Sequence, residues 1–296
     1  TIREDTLQRL RGLHVANHLF ATIRHEELVR RLEAFAAESI PAIPLKGTCL
    51  ATRLYPDVGG RALGYDLDLL VRRDDAAGAA AALERDGFRT VGPPGRYDRP
   101  FERIEADSST TTVELHADLL PRWCRATGFA NALWSRSRPP VDPRFPAWTL
   151  DPGDEILYLC THLIKDQVET RPTLLHLRHG LDIHLALERW GAEIDWPVFA
   201  QRAREYRLHA YAGLAFEFLA HWFGSVVPEA LTAELPRWKR AHFARHVWPL
   251  EASPTNGNQL PKELRLLGLI LLLDDRWRAR FAHLRWAGSE LRERWR

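Results

Sequence analysis

The sequence predicts an α+β protein: a mixed β-sheet with helices, followed by an all-helical domain. Three observations carry this. Segments with the two-residue period of strands are confined to residues 40–120. From Asp151 onward apolar residues recur at helical spacing almost throughout. The most sharply patterned stretch, Leu63 to Val71, puts Asp66 and Asp68 on one face of a strand and Leu67, Leu69 and Val71 on the other, because side chains alternate along a strand. The expected parts are an N-terminal helical segment over 1–40, a sheet-bearing domain over 41–150 and a helical domain over 151–296.

Residues 4–38 show helical periodicity from Leu7 through Leu10, Leu13, Val15, Leu19 and Ile23 to Leu32 and Phe35, and Pro41 and Pro44 stop it. Ile43–Lys46 reads as a short strand, Gly47 opens a short helix to about Leu54, and Tyr55–Gly60 is a loop by composition. Asp66–Val71 follows as a strand. Asp74 is placed to cap a helix of alanines ending near Gly87. Phe88–Val91, Phe101–Ala106 and Thr110–His116 read as further strands, with Pro93-Pro94-Gly95 between the first two. Residues 121–150 form a connection with a short helix at Phe129–Trp134. Asp151 and Pro152 then start a helix, with acidic residues in its first turn. Later helices break at Gly191, Gly224, Pro236, Pro249 and Ser253–Gln259.

The chain has 296 residues, 45% hydrophobic and 27% charged, so both domains can bury a core. A net charge of +2 gives no argument for nucleic acid or an anionic membrane surface. Cys49, Cys124 and Cys160 form no CxxC pair and fit a reducing compartment, with a cytoplasmic location expected. No apolar run reaches the ~18 residues of a membrane span; Leu266–Leu273 reads as a buried helix. The chain has no methionine and begins at Thr1, so its translational start is expected to lie outside it.

Asp66 and Asp68 lie about 6–7 Å apart along one strand face, and like charges that close call for a cation. Magnesium meets that need, binding through one or two carboxylates together with substrate phosphates. In Thr111–His116, Val113 and Leu115 share one face, Glu114 and His116 the other. If this strand lies beside Asp66–Val71, then Asp66, Asp68 and Glu114 converge as an acidic triad for two metal ions. Lys46-Gly47 sits at a strand-to-helix turn, where glycine admits a phosphate, and Arg61 offers a bidentate phosphate ligand. His162, Lys165 and Asp166 share a helix face; Lys165 is a candidate for the triphosphate, against the alternative of His162 bonded to Asp166. His176, His179 and His184 with Asp182 make an incomplete zinc set.

Pro44-Leu-Lys-Gly47, Leu54-Tyr-Pro56, Arg61, Asp66-Leu-Asp-Leu-Leu-Val71 and Val113-Glu-Leu-His116 together resemble the uncharacterised nucleotidyltransferase family of the DNA polymerase β-like superfamily. Ile156–His162 and Leu177–Asp182 are similar to that family's helical-domain signature, so the resemblance covers about residues 40–190. It implies a polymerase β-like nucleotidyltransferase fold in which Asp66, Asp68 and Glu114 hold two Mg²⁺ ions. Lys46, Gly47, Arg61, His162 and Lys165 would bind the nucleotide, with ATP the expected donor. The chain departs from the superfamily in carrying Gly47-Thr48, far from Asp66, where a Gly-Ser pair usually precedes the aspartates closely. The expected reaction moves an NMP to a small-molecule, peptide or protein acceptor with release of pyrophosphate. A toxin-type enzyme acting on tRNA or protein, and a non-catalytic nucleotide- or partner-binding module, are the alternatives.

Overall fold

The computed structural model describes residues 3–92, 98–120, 128–169 and 174–226, with single positions up to 241. The expected breaks at Pro236, Pro249 and Ser253–Gln259, the Leu266–Leu273 helix, Cys124 and the Pro93–Gly95 connection lie outside them. The described chain divides into two compact units, one running to Asp151 and the other starting at Pro152.

The first unit is a mixed five-stranded sheet with helices, an organisation that follows from the alternating patterns of residues 40–120. Helix α1 spans Glu4–Ala37, β1 Ala42–Pro44, α2 Thr48–Leu54, β2 Asp66–Val71, α3 Ala76–Arg85, β3 Arg89–Thr90, β4 Asp98–Ile104, β5 Thr110–His116 and α4 Phe129–Arg136. The strand order is β1-β2-β5-β4-β3. β2 and β5 run parallel, and the other neighbours are antiparallel. Parallel strands need a long crossover, which here contains α3, β3 and β4. Leu67, Leu69 and Val71 of β2, Val113 and Leu115 of β5 and Phe101 of β4 form the core with Leu28, Leu32 and Phe35 of α1 and Ala79 to Leu83 of α3. One sheet face is thus apolar, and the other is left to Asp66, Asp68, Thr112, Glu114 and His116.

Two local expectations need correction. Asp74 does not cap α3: a 3-10 turn over Arg73–Asp75 intervenes, and Asp75 at the N-cap already has helical dihedrals, so its carboxylate makes no capping bond. β4 begins and ends earlier than its apolar residues suggest. Its end is set by a tight turn in which Glu105 N–H donates to Ser109 O and Ser108 N–H to Glu105 O. In α1 only the second half is buried, from Ala21 on, while Leu10, Leu13, Val15, Leu19 and Ile23 are exposed. The buried half also carries Arg24, Glu27 and Arg31. Glu27 offsets part of this cost by pairing with Arg31 and with Arg103 of β4, both at 3.1 Å.

In the second unit, α5 (Pro152–Glu169) packs on α6 (Leu174–Trp190) and α8 (His209–Phe223), with α7 (Trp196–Glu205) against α5 and α8. Asp195 caps α7, its carboxylate accepting from Val198 N–H at 3.0 Å. The buried Asp154 of α5 accepts from Arg202 of α7 at 3.1 Å. At Gly180, α6 has no room for a side chain: a Cβ would stand 2.7 Å from Phe218 and 2.8 Å from Phe223.

Candidate active site

The polar face of the sheet is built by register. β2 pairs with β5 so that Asp66 lies opposite Thr112, Asp68 opposite Glu114 and Leu70 opposite His116. Paired residues project to the same face, so Asp68, Glu114 and His116 meet. His116 Nε2 lies 3.0 Å from Asp68 Oδ1 and 3.6 Å from Glu114 Oε2. The donor atoms of these three side chains all fall within 4.8 Å of one another. Asp68 and His116 are buried, and Glu114 is half-buried.

Lys46 reaches the same carboxylate from the other side, with Nζ 3.2 Å from Asp68 Oδ1. The ladder explains its position. Leu45 N–H donates to Asp68 O at 3.1 Å, extending the β1–β2 pairing by one residue. Gly47 then turns the chain with φ 63° and ψ −122°, a conformation open to glycine, into α2.

Asp66 is on the same face but outside the convergent trio. It folds back toward Gly64, where a Cβ would stand 2.5 Å from Asp66 Oδ1. Burial lowers the pKa of the Arg24 guanidinium on α1, and the charge of Asp66 is first among those that push it back up. The same helix holds the loop before β2: Asn17 Nδ2 donates to Gly59 O at 2.6 Å and to Arg61 O at 2.8 Å. Arg61 itself is buried.

Two or three carboxylates gathered on one sheet face, with a lysine at a glycine turn beside them, suit the binding of a cation and of phosphate. The chain matches the sequence model of the uncharacterised nucleotidyltransferase family over residues 1–224. It belongs to that family. The mixed sheet with its helices is a nucleotidyltransferase fold, and the chain is a nucleotidyltransferase whose substrate is a nucleotide. No curated protein matches the sequence. Among solved structures, the antibiotic-resistance factor ANT(2'')-Ia is 16% identical, with 58% of this chain and 86% of that chain covered and a TM-score of 0.39. A nucleotidyltransferase-like antigen from Paracoccidioides brasiliensis is 13% identical, with 60% and 75% covered and a TM-score of 0.37.

The donor set fits a divalent cation. Asp68 and Glu114 each bring a carboxylate oxygen and His116 a ring nitrogen, all within 4.8 Å of one another.

In the second unit, His162 Nδ1 lies 3.0 Å and His179 Nδ1 3.4 Å from Asp166 Oδ2. Burial alone would raise the Asp166 carboxyl. The charge and hydrogen bond of His162, then His179 and Lys165, outweigh burial and hold it well below the usual carboxylate range. Arg178 Nη2 stands 3.3 Å from His179 Nε2. The ligating atoms of His162, Asp166 and His179 all lie within 4.8 Å of one another. His184 turns away to Ser225 Oγ at 3.0 Å and toward Glu188 at 3.5 Å, while Asp182 is buried. The side chain of His176 lies outside the described residues.

Sequence reasoning assigned no role to His116, Asn17 or Arg24. For His116 a signal was present, because Glu114 and His116 alternate onto one strand face. For Asn17 and Arg24 there was none, since nothing local to α1 shows that it packs on the loop before β2.

Proposed function

We propose that this nucleotidyltransferase moves an NMP from an NTP, with ATP the first donor to test, to a small-molecule, peptide or protein acceptor and releases pyrophosphate. The observation that supports this most is the in-register pairing of Asp68 with Glu114 on adjacent parallel strands, with Lys46 3.2 Å from Asp68. Asp68 and Glu114, with Asp66 beside them, would hold the Mg²⁺ ions. When bound, such ions neutralise the triphosphate and lower the pKa of the attacking group. Lys46 brings a positive charge to the same spot, and the Gly47 turn exposes backbone to which a phosphate can come close. Arg61 would act on the phosphates from a buried, α1-braced loop. For His162 and Lys165 a nucleotide-binding role rests on the motif alone. The acceptor's hydroxyl or amine attacks the α-phosphorus, the bond from that phosphorus to the bridging oxygen breaks, and pyrophosphate leaves. Positioning and charge neutralisation supply most of the rate in such transfers.

The test is thermal stability with ATP, GTP, CTP and UTP, with and without Mg²⁺, on wild type and Asp66→Asn/Asp68→Asn. A nucleotide at about 100 times its Kd should stabilise by about 2.7 kcal/mol, a shift of several degrees. A Mg²⁺-dependent shift lost in the double variant is the expected result. No shift with any nucleotide would sink the proposal. Nucleotide binding without pyrophosphate release across an acceptor panel would mark a binding module.

A further inference from the structure

We infer that His116 is itself a ligand of the cation at this site, and that it shifts the site's preference from Mg²⁺ toward borderline transition ions such as Mn²⁺, Co²⁺ and Zn²⁺. This rests on the reading that Asp68 and Glu114 hold an ion. The trio whose donor atoms converge is Asp68, Glu114 and His116, and Asp66 is outside it. Donors about 2.1 Å from a shared ion stand roughly 3.0 Å apart in an octahedron and roughly 3.4 Å apart in a tetrahedron. His116 Nε2 is 3.0 Å from one carboxylate and 3.6 Å from the other. It thus occupies a ligand's place relative to both.

The ring has little freedom to leave. His116 ends β5 opposite Leu70, is buried, and its Nδ1 has no hydrogen-bond partner among the described residues. The end of the ring that meets polar groups is therefore Nε2. Ligating histidines usually donate their second N–H to a fixed acceptor; here Nδ1 faces none among the described residues. Mg²⁺ demands oxygen donors and keeps its waters, whereas imidazole suits later first-row ions. An Asp-Glu-His set therefore discriminates by ligand type. The alternative is that His116 only hydrogen-bonds Asp68 and orients it.

The experiment uses the full chain without nucleotide, freed of metal and titrated with Mg²⁺, Mn²⁺ and Co²⁺. Pulsed electron paramagnetic resonance of the Mn²⁺-loaded wild type should show imidazole nitrogen coupling. Co²⁺ should bind at least tenfold tighter than Mg²⁺. His116→Gln, which keeps a hydrogen-bond donor for Asp68, should lose the nitrogen coupling and the Co²⁺ preference while retaining Mg²⁺ binding. The wild-type spectrum decides the matter even if the variant fails to fold. Bound Mn²⁺ without nitrogen coupling would overturn the inference and leave Asp68 and Glu114 as an oxygen-only site. Ion binding that survives Asp68→Asn would instead overturn the reading on which the inference rests.

Discussion

Asp68→Asn separates chemistry from folding, and the structure allows both effects to be sized. The substitution is isosteric, and β2 is held by backbone ladders to β1 and β5 and by Leu67, Leu69 and Val71 in the core. The loss is therefore electrostatic. Lys46 at 3.2 Å has a gross attraction of about 5 kcal/mol to a unit charge at an effective dielectric of about 20. Most of this is recovered elsewhere, because the lysine side chain is 21% exposed and returns to water. An asparagine oxygen also still accepts a hydrogen bond. What remains is close to one charged hydrogen bond, about 1.5–3 kcal/mol. At roughly 2–4 °C per kcal/mol for a chain of this size class, Tm should fall by roughly 3–12 °C with the fold retained by circular dichroism. Pyrophosphate release should drop by at least ~10³-fold, beyond the ~10–100-fold typical of groups that merely support a metal ligand. Asp66→Asn is the internal comparison: Asp66 is outside the convergent trio and its charge instead supports the buried Arg24 guanidinium, so its stability loss should be about 1–3 kcal/mol. Activity within tenfold of wild type in a folded Asp68→Asn protein would refute the metal-site reasoning.

Four further outcomes follow from the packing. Asn17→Ala removes the donor to Gly59 O and Arg61 O and should cost about 1–3 kcal/mol; a loss below ~0.5 kcal/mol in urea unfolding would show that α1 does not brace that loop. Gly180→Ala drives a Cβ onto Phe218 and Phe223 and should cost about 1–3 kcal/mol, read as a lowered Tm; an unchanged Tm would contradict the tight α6–α8 approach. Gly47→Ala forces an L residue to φ 63° at about 1–3 kcal/mol, and should impair activity by shifting Lys46; a neutral, active variant would argue against the turn's role. Asp166 has a depressed carboxyl in the folded state, so its stabilising effect is present above its unfolded pKa of ~3.9 and lost as pH falls below it. The Tm gap between wild type and Asp166→Asn should thus be largest near neutrality and close in acid; a gap that widens below pH ~4 would reverse the sign.

The two site strands were legible because each carries a strict two-residue alternation, and that pattern survives any tertiary arrangement that buries one face. Their convergence was legible only conditionally. Whether Asp68 or Asp66 meets Glu114 depends on the register of a parallel pair whose partners are far apart in the sequence. The same shift of one pair decides that His116 joins Asp68 while Asp66 is left beside Thr112. For α1 the helical period was visible along its whole length, but periodicity is blind to which half finds a partner. The exposed Leu10, Leu13 and Leu19 fit the pattern as well as the buried Leu28 and Leu32 do. Nothing local signals that Glu27 and Arg31 are buried, because their partners Arg103 and Asp86 come from distant segments.

Leu45-Lys46-Gly47 shows how a three-residue motif can do mechanical work that none of its residues does alone. Leu45 is the last residue tied to β2, through its bond to the carbonyl of Asp68 itself. The next residue is thereby fixed beside that aspartate, and being lysine it delivers a charge to the carboxylate at 3.2 Å. Had the strand continued, the following side chain would have covered the polar face. A glycine at φ 63° instead turns the backbone into α2 at once. The acidic pair and the lysine are therefore one construction. Lys46 and His116 both lie against Asp68, at 3.2 and 3.0 Å, placed there by the bond of Leu45 to β2 and by the pairing of β5 with β2.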